Sequence, residues 1–182
     1  MRAVLDACVL YPPILREILL GCAQAGLYEP LVSDRILREW TLATAKLGPV
    51  MQAQAETEAA LLRAGFPRSV VREAAGIEAR LLLPDPDDVH VLATAIAGHG
   101  NAIITFNAKD FPGHILAAEG ITRRDPDGFL WEMWSHHPEA VGGVVAAVHA
   151  KACVIAGDQV PLKSMLKRGK LGRLARALQS TA

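Results

Sequence analysis

The sequence predicts an α/β fold in which helices flank a central parallel sheet, and three observations favour it. Short apolar runs that have the length of buried strands alternate with longer runs of helical periodicity, as in parallel sheets. The first run, residues 3–5, begins almost at the N-terminus and ends in Asp6. Residues 84–112 then combine an acidic turn, a helical run and a short buried strand. We therefore predict a sheet of about four to five short strands.

The elements follow one another with recognisable boundaries. Ser33 or Asp34 is expected to cap a helix, Gly26 and Gly65 to end helices, and His99 with Gly100 to end the helix of the acidic segment. The predicted strands are residues 3–5, 28–32, 102–105 and 121–123; the predicted helices are residues 14–25, 35–45, 51–64, 67–83, 115–118 and two that begin near 125 and 138. We expect a first domain over residues 1–135 and a helical C-terminal extension over residues 136–182.

Composition limits the class of protein. The chain has 182 residues, 51% of them hydrophobic, which is enough for one sizeable core. Its formal net charge is zero, so no global basic field indicates nucleic-acid binding, although charge can be segregated along a chain. Cys8, Cys22 and Cys153 show no CxxC spacing and indicate a reducing compartment. With no signal peptide and no apolar run of membrane-spanning length, we expect a cytoplasmic protein that does not contact membranes.

Carboxylates are placed where a parallel sheet could bring them together. Asp6 ends the first strand, Glu39 lies on a helix, Asp88 ends the turn PDPDD, and Asn107 and Asp110 follow a later strand. Ligands bind at the carboxyl ends of parallel strands. Clustered carboxylates repel one another unless a cation neutralises them, and hard oxygen ligands select Mg²⁺ or Mn²⁺. Such ions can activate water for phosphodiester hydrolysis.

Four motifs along the chain resemble those of PIN-domain nucleases, the fold of VapC-type toxins. They are VLDACVLYP, SDRILREW, PDPDDVHVLATA and TFNAKDFP, and the resemblance covers residue 1 to about residue 130. Each motif is moderately specific or weak alone, but their order is persuasive. The resemblance implies that Asp6, Glu39, Asp88 and Asp110 are catalytic carboxylates and metal ligands.

The same resemblance implies a Mg²⁺- or Mn²⁺-dependent endoribonuclease, usually the toxin of a type II toxin–antitoxin pair. Such proteins commonly form dimers held by a small antitoxin. The chain departs from the commonest pattern at Asn107, where many PIN domains have Asp two residues after the strand-end Thr105. Whether Asn107, Asp110 or both face the metal stays open, and the Thr105 hydroxyl could orient a metal-bound water.

Several polar and aromatic side chains have a simpler interpretation. Asp85 and Asp87 are expected to cap the helix that follows them, and His90 and His99 to be solvated rather than metal ligands. Trp131 and Trp134 share a helix face. We interpret these two rings as core or interface residues in preference to a platform for stacked bases.

The C-terminal segment from residue 161 is basic and contains no acidic residue. It is either a solvated amphipathic helix packed through its leucines, a site for RNA phosphates, or a site for a protein partner. The residues that could bind RNA are Lys109, Lys163, Lys167, Arg168, Lys170 and Arg173.

Two other functions compete with the nuclease. A non-catalytic PIN-fold module that binds RNA or protein is favoured only by Asn107. A phosphotransferase with Asp6 as nucleophile would resemble HAD-like enzymes, but their usual DxD opening is missing because position 8 is Cys.

Overall fold

All five strands of the structure, a computed structural model that describes residues 1–179, run parallel in one sheet. The predicted extension therefore continues for three residues outside the described ones. The strands are β1 (Arg2–Leu5), β2 (Glu29–Ser33), β3 (Val70–Val71), β4 (Ala102–Ile104) and β5 (Thr122–Arg124), in the order β3-β2-β1-β4-β5. The predicted α/β class, with a parallel sheet flanked by helices and a helical C-terminal part, is confirmed.

Helices connect and follow these strands. They are α1 (Ala7–Leu10), α2 (Pro13–Gln24), α3 (Asp34–Ala45), α4 (Pro49–Gly65), α5 (Ala75–Glu78), α6 (Val89–Ala97), α7 (Gly113–Ala118), α8 (Pro126–His136), α9 (Pro138–Ala156), α10 (Leu162–Arg168) and α11 (Gly172–Gln179). A 3₁₀ turn, Pro86–Asp88, precedes α6. Ser33 caps α3 as predicted, since its Oγ accepts a hydrogen bond from the Ile36 amide at 3.2 Å.

The chain forms two compact units that are discontinuous in sequence. The first comprises Met1–Tyr11 and Glu29–Arg124 and contains the whole sheet. The second comprises Pro12–Tyr28 and the described residues from Asp125 onward, and it is helical. The domain boundary expected after residue 135 stays a prediction.

Strand β1 is the centre of the sheet unit. Its residues from Ala3 to Leu5 are fully buried, and β1 pairs with β2 on one side and β4 on the other. The strand order therefore reverses direction between β1 and β4, which makes their carboxyl ends a topological switch point. Polar side chains that follow these two strands are brought to one crevice.

In the helical unit, α9 packs against α2 and α8, and α8 also packs against α11. Tyr28 contributes a hydroxyl that donates to the Leu19 carbonyl at 3.1 Å, and its ring meets Phe129 edge-on with centroids 5.1 Å apart. Trp131 is 44% exposed, so it is not a core residue, and the other expectation for this ring, an interface, stays a prediction. Trp134 is half-buried.

Three local expectations need correction. Residues 67–83 do not form one helix, because Val70–Val71 pairs with β2 as a strand and only Ala75–Glu78 is helical. The helix of the acidic segment ends at Ala97, and its cap is Gly98 rather than His99 or Gly100. His90 is buried rather than solvated, with 2% of its surface exposed, whereas His99 is exposed.

Helix α9 is long and apolar enough to meet the length and composition of a membrane span, contrary to the expectation that no such run exists. Its 18-residue window has a mean hydropathy of 1.5, and 17% of that window is buried. Core helices and signal sequences meet the same two criteria, so length and composition alone do not assign α9 to a membrane.

Candidate active site

The site begins where β1 and β4 end side by side. Asp6 follows β1 and is 6% exposed, and Thr105 follows β4 and is 2% exposed. The Thr105 hydroxyl donates a hydrogen bond of 2.6 Å to the Asp6 Oδ2 atom. The two residues are 99 positions apart in sequence, so this bond exists only because the parallel pairing sets both strand ends at one edge.

Asn107 connects this pair to the acidic turn before α6. Its backbone amide donates to the Thr105 Oγ1 atom at 2.9 Å, and its side-chain Nδ2 donates to the Asp88 Oδ2 atom at 2.9 Å. A continuous hydrogen-bonded path therefore joins Asp6, Thr105, Asn107 and Asp88. In this arrangement the Asn107 amide nitrogen, not its oxygen, faces the Asp88 carboxylate.

Three half-buried carboxylates lie together beside this path. One oxygen each of Asp85, Asp88 and Asp110 falls within 4.8 Å of the others. Asp85 also has the capping role that the sequence predicts, because its Oδ1 atom accepts a hydrogen bond from the Asp87 amide at 2.9 Å. The 3₁₀ turn thus fixes two of these acids, and the loop after β4 supplies the third.

The proximity of these acids changes the acidity of one of them. Burial is the largest cause, and together with the negative charges of Asp6, Asp85 and Asp110 it raises the pKa of Asp88 from 3.8 to about 6, while His90 acts to lower it. Hence burial and three neighbouring carboxylates both disfavour the ionised form of Asp88.

Glu39 lies beside His90 rather than inside the three-carboxylate group. Its Oε1 atom is 2.9 Å from His90 Nε2, although the ring does not meet hydrogen-bond angles, and 3.3 Å from Arg35 Nε. Arg35 also donates to the Asp87 carbonyl at 3.3 Å, so α3 is tied to the acidic turn. Glu39, on α3, therefore lies at the edge of the site, where it approaches His90 in the first turn of α6.

Cys8 is an unforeseen neighbour of Asp6. Its Sγ atom donates to the Asp6 Oδ2 atom at 3.1 Å and lies 3.4 Å from the Thr105 Oγ1 atom, and it accepts from the Phe106 amide at 3.3 Å. Burial and the charge of Asp6 raise the pKa of the Cys8 thiol to about 12. The thiol is thus protonated at neutral pH and acts as a donor to Asp6, not as a nucleophile.

The predicted site residues are only partly assembled by these contacts. Asp6, Thr105, Asn107 and Asp88 share one hydrogen-bonded path, Asp110 joins Asp88 in the carboxylate group, and Glu39 reaches the site beside His90. The proposed RNA contacts are all exposed: Lys109, Lys163, Lys167, Arg168, Lys170 and Arg173.

Sequence reasoning missed Asp85, His90 and Cys8. Asp85 was predicted as a cap alone, whereas it belongs to the carboxylate group as well. A signal for His90 was its position two residues after Asp88, in the first turn of a helix whose following residues are apolar. Cys8 occupies the equivalent position two residues after Asp6.

The donor set suits a hard divalent cation. Carboxylate oxygens from three residues converge within 4.8 Å, and the pKa of Asp88 is raised first by burial and then by the charges of Asp6, Asp85 and Asp110. Mg²⁺ and Mn²⁺ prefer oxygen ligands of this kind, and neither thiol nor imidazole belongs to the group. The residues present therefore fit such an ion.

The chain belongs to the PIN-domain family, since the family model described as a PIN domain matches residues 2–109. PIN domains are in general metal-dependent nucleases, and the carboxylate group at the switch point agrees with that class. The match includes β1, the 3₁₀ turn and β4, so every element that builds the site lies inside it or at its boundary. Comparisons with curated proteins and with solved structures gave no significant match.

Proposed function

We propose that this protein is a Mg²⁺- or Mn²⁺-dependent endoribonuclease that hydrolyses RNA phosphodiester bonds. The observation that carries the proposal is the convergence of Asp85, Asp88 and Asp110 beside the Asp6–Thr105 pair in a PIN-domain chain. When bound, a divalent cation would supply Lewis-acid activation of water and would neutralise charge on the phosphate oxygens.

The proposed ligands are Asp6, Asp88 and Asp110, with Asp85, Glu39 and Asn107 as further candidates. The pKa of Asp88 is raised to about 6 by burial and by nearby carboxylates, so the side chain is largely ionised at neutral pH yet able to accept a proton. Asp6 is fixed by two donors on one oxygen, Thr105 and Cys8. Proximity, orientation and charge are thus supplied by groups that the fold already holds in place.

Thr105 has a positioning role in the proposal. Its hydroxyl donates to Asp6 and accepts from the Asn107 amide, which fixes the direction of its proton, and Cys8 Sγ lies 3.4 Å from the same oxygen. We assign to Thr105 the positioning of Asp6 and, with it, the orientation of the water that attacks phosphorus.

The test is a nuclease assay on single-stranded and structured RNA with Mg²⁺, Mn²⁺ or EDTA. We expect metal-dependent cleavage that Asp88→Asn and Asp6→Asn reduce by at least about 100-fold, because each variant removes a charge that the cation needs. Asp87→Asn is the matched control, since Asp87 lies in the same 3₁₀ turn, is exposed and is outside the carboxylate group. Full activity in Asp88→Asn with the fold intact would contradict the assignment.

A non-catalytic binding module is the alternative, and Asn107 is the observation that favours it. An amide at this position donates to Asp88 and brings no negative charge to the cation. Binding of RNA by the wild type without cleavage in any metal would support this alternative. Asn107→Asp tests the same point, since it should strengthen cation binding if the site is a metal centre.

The biological role that we propose is the toxin of a type II toxin–antitoxin pair, acting in the cytoplasm as a homodimer with a small antitoxin. The support is the VapC-like order of the four acidic motifs. Induction of the wild-type gene should arrest growth, and Asp88→Asn should not. Arrest by both proteins alike would contradict a toxic nuclease.

A further inference from the structure

The helical unit carries an open groove that the acidic site does not use. It has a volume of about 650 Å³ and is lined by Trp131 and Trp134 from α8 and by Arg173, Arg176 and Ala177 from α11. This volume lies in the range of about 300–1,000 Å³ that is typical of ligand pockets. Trp131 is 44% exposed, which is unusual for the largest apolar side chain.

Contacts between the two helices fix the positions of the lining residues. The Asp127 carboxylate, in the first turn of α8, accepts hydrogen bonds from the Arg173 amide at 2.7 Å and the Leu174 amide at 3.1 Å. It therefore caps α11 and sets its first turn against α8. Leu174 and Ala175 of α11 are buried, whereas Arg173 and Arg176 are exposed and line the groove beside Ala177.

The spacing within each helix places the two tryptophans on one face of α8 and the two arginines on one face of α11. Trp131 and Trp134 are three residues apart on α8, and Arg173 and Arg176 are three residues apart on α11, so each pair shares a face. Two indole rings from α8 and two guanidinium groups from α11 thus line the same groove. Apolar rings beside arginines suit a ligand that is at once planar and anionic.

The charge of the C-terminal segment that supplies both arginines favours one such ligand, although α8 itself carries Asp127 and Glu132. Residues 161–179 contain six basic side chains and no acidic one, in a chain whose net charge is zero. Lys163, Lys167, Arg168 and Lys170 are all exposed in this segment, as are both groove arginines. Single-stranded RNA combines stackable bases with a phosphate on every residue, whereas an acidic peptide would leave the indole rings without planar partners.

We propose that the groove formed by Trp131, Trp134, Arg173 and Arg176 is a binding site for single-stranded RNA, with bases stacked on the indoles and phosphates paired with the arginines. The proposal rests on the proposed function in one respect, namely that a ribonuclease has RNA as its substrate and so makes RNA the expected ligand. The groove lies wholly within the helical unit, so its binding of RNA needs neither the carboxylates nor a cation.

The experiment measures binding of a fluorescein-labelled ten-nucleotide oligouridine to the full chain in EDTA, by anisotropy and by quenching of tryptophan fluorescence. All proteins carry Asp88→Asn, so that cleavage cannot interfere. We expect Trp131→Ala to weaken binding about tenfold and Trp131→Phe to retain most of it, because stacking needs a ring. Arg176→Ala should weaken binding and lower the slope of log K against log salt by about 0.7, the value for one phosphate contact on a single strand.

Two matched controls come from the sheet unit. Leu82→Ala removes an apolar side chain that is 84% exposed, and Arg38→Ala removes an exposed arginine on α3. Neither should change binding, and thermal melts of every variant establish that the fold is retained.

Two outcomes would contradict the proposal that the groove binds single-stranded RNA. One is oligouridine affinity that is unchanged in both Trp131→Ala and Arg176→Ala. The other is the absence of oligouridine binding, and binding of an acidic peptide in its place would make the groove a protein-docking surface. Failure of the nuclease assignment is seen separately, as the lack of metal-dependent cleavage by the wild type, and does not change the result in EDTA.

Discussion

Asp88 both lowers the stability of the metal-free protein and is a proposed ligand of the cation. Its carboxylate accepts from Asn107, lies in a group with Asp85 and Asp110, and experiences the charge of Asp6. Without a cation the folded chain retains this repulsion, whereas the unfolded chain does not. The arrangement therefore lowers the stability of the metal-free protein and favours the binding of a cation.

The raised pKa of Asp88 predicts how stability depends on pH. Between about pH 4 and pH 6 the folded state holds a proton that the unfolded state has lost, so stability falls as pH rises through this window. Above about pH 6 the full penalty is present. In EDTA at pH 7.5, Asp88→Asn should therefore melt about 2–4 °C higher than the wild type, a gain of about 1 kcal/mol for a half-buried, partly screened group.

Calorimetry with and without Mg²⁺ checks this prediction. Mg²⁺ should raise the melting temperature of the wild type and not that of Asp88→Asn, while Asp87→Asn should respond like the wild type. A lower melting temperature for Asp88→Asn in EDTA would show that the carboxylate stabilises the metal-free fold.

Helices α2 and α9 illustrate how a close helix contact depends on one glycine. A Cβ atom at Gly21 of α2 would lie 2.6 Å from the Val144 Cγ1 atom of α9. Real Cβ contacts essentially never come so close, so any larger residue would push the two helices apart or force Val144 off its rotamer. Gly143, on α9 itself, is exposed and has nothing within 4 Å of the corresponding position.

This difference predicts opposite effects of the same substitution. Gly143→Ala should raise the free energy of unfolding by about 0.5–1 kcal/mol, since alanine favours the helix and meets no neighbour. Gly21→Ala has the same helical advantage but should lower stability by about 1–3 kcal/mol because of overpacking. Urea denaturation of the two variants provides the measurement, and equal stabilisation by both would mean that α2 and α9 do not pack closely.

The two compact units of the molecule do not follow the order of the sequence. Helix α2 lies between β1 and β2 in the chain but belongs to the helical unit, where it packs against α9. Its buried face includes Leu15, Ile18, Leu19 and Cys22. The helical unit therefore contains residues from both ends of the chain.

Truncation after residue 135 tests the predicted domain boundary. The shortened chain keeps α2 but loses α9, so α2 would expose an apolar face that α9 covers. We expect a sharp fall in soluble yield and loss of a cooperative melt. A soluble fragment of residues 1–135 with a cooperative transition would instead establish the boundary.

The parts of the structure that have a local pattern could be predicted from the sequence, and those that depend on distant partners could not. Short apolar runs predicted β1 and β4, and the residue type of Ser33 predicted the cap of α3. Strand β3 has two residues, Val70–Val71, and is a strand only because it pairs with β2 across a long connection. No short-range pattern distinguishes it from a helix.

The candidate site shows the same limit. The acidic motifs predicted Asp6, Asp88 and Asp110, because residue type and strand position are visible in the sequence. The burial of His90 against Glu39 and the donation from Cys8 to Asp6 depend on how α3, α6 and the two strand ends meet. Residue type alone assigned these side chains to solvent or to a generic core.

The bond between Thr105 and Asp6 also has a consequence for the chain during its synthesis. Asp6 leaves the ribosome early, but its partner follows 99 residues later and Asp110 later still. The site has a high contact order, so it cannot assemble on a nascent chain until β4 and the loop after it have emerged. A growing chain with the proposed activity would thus stay harmless to the message that encodes it until the sheet unit is nearly complete.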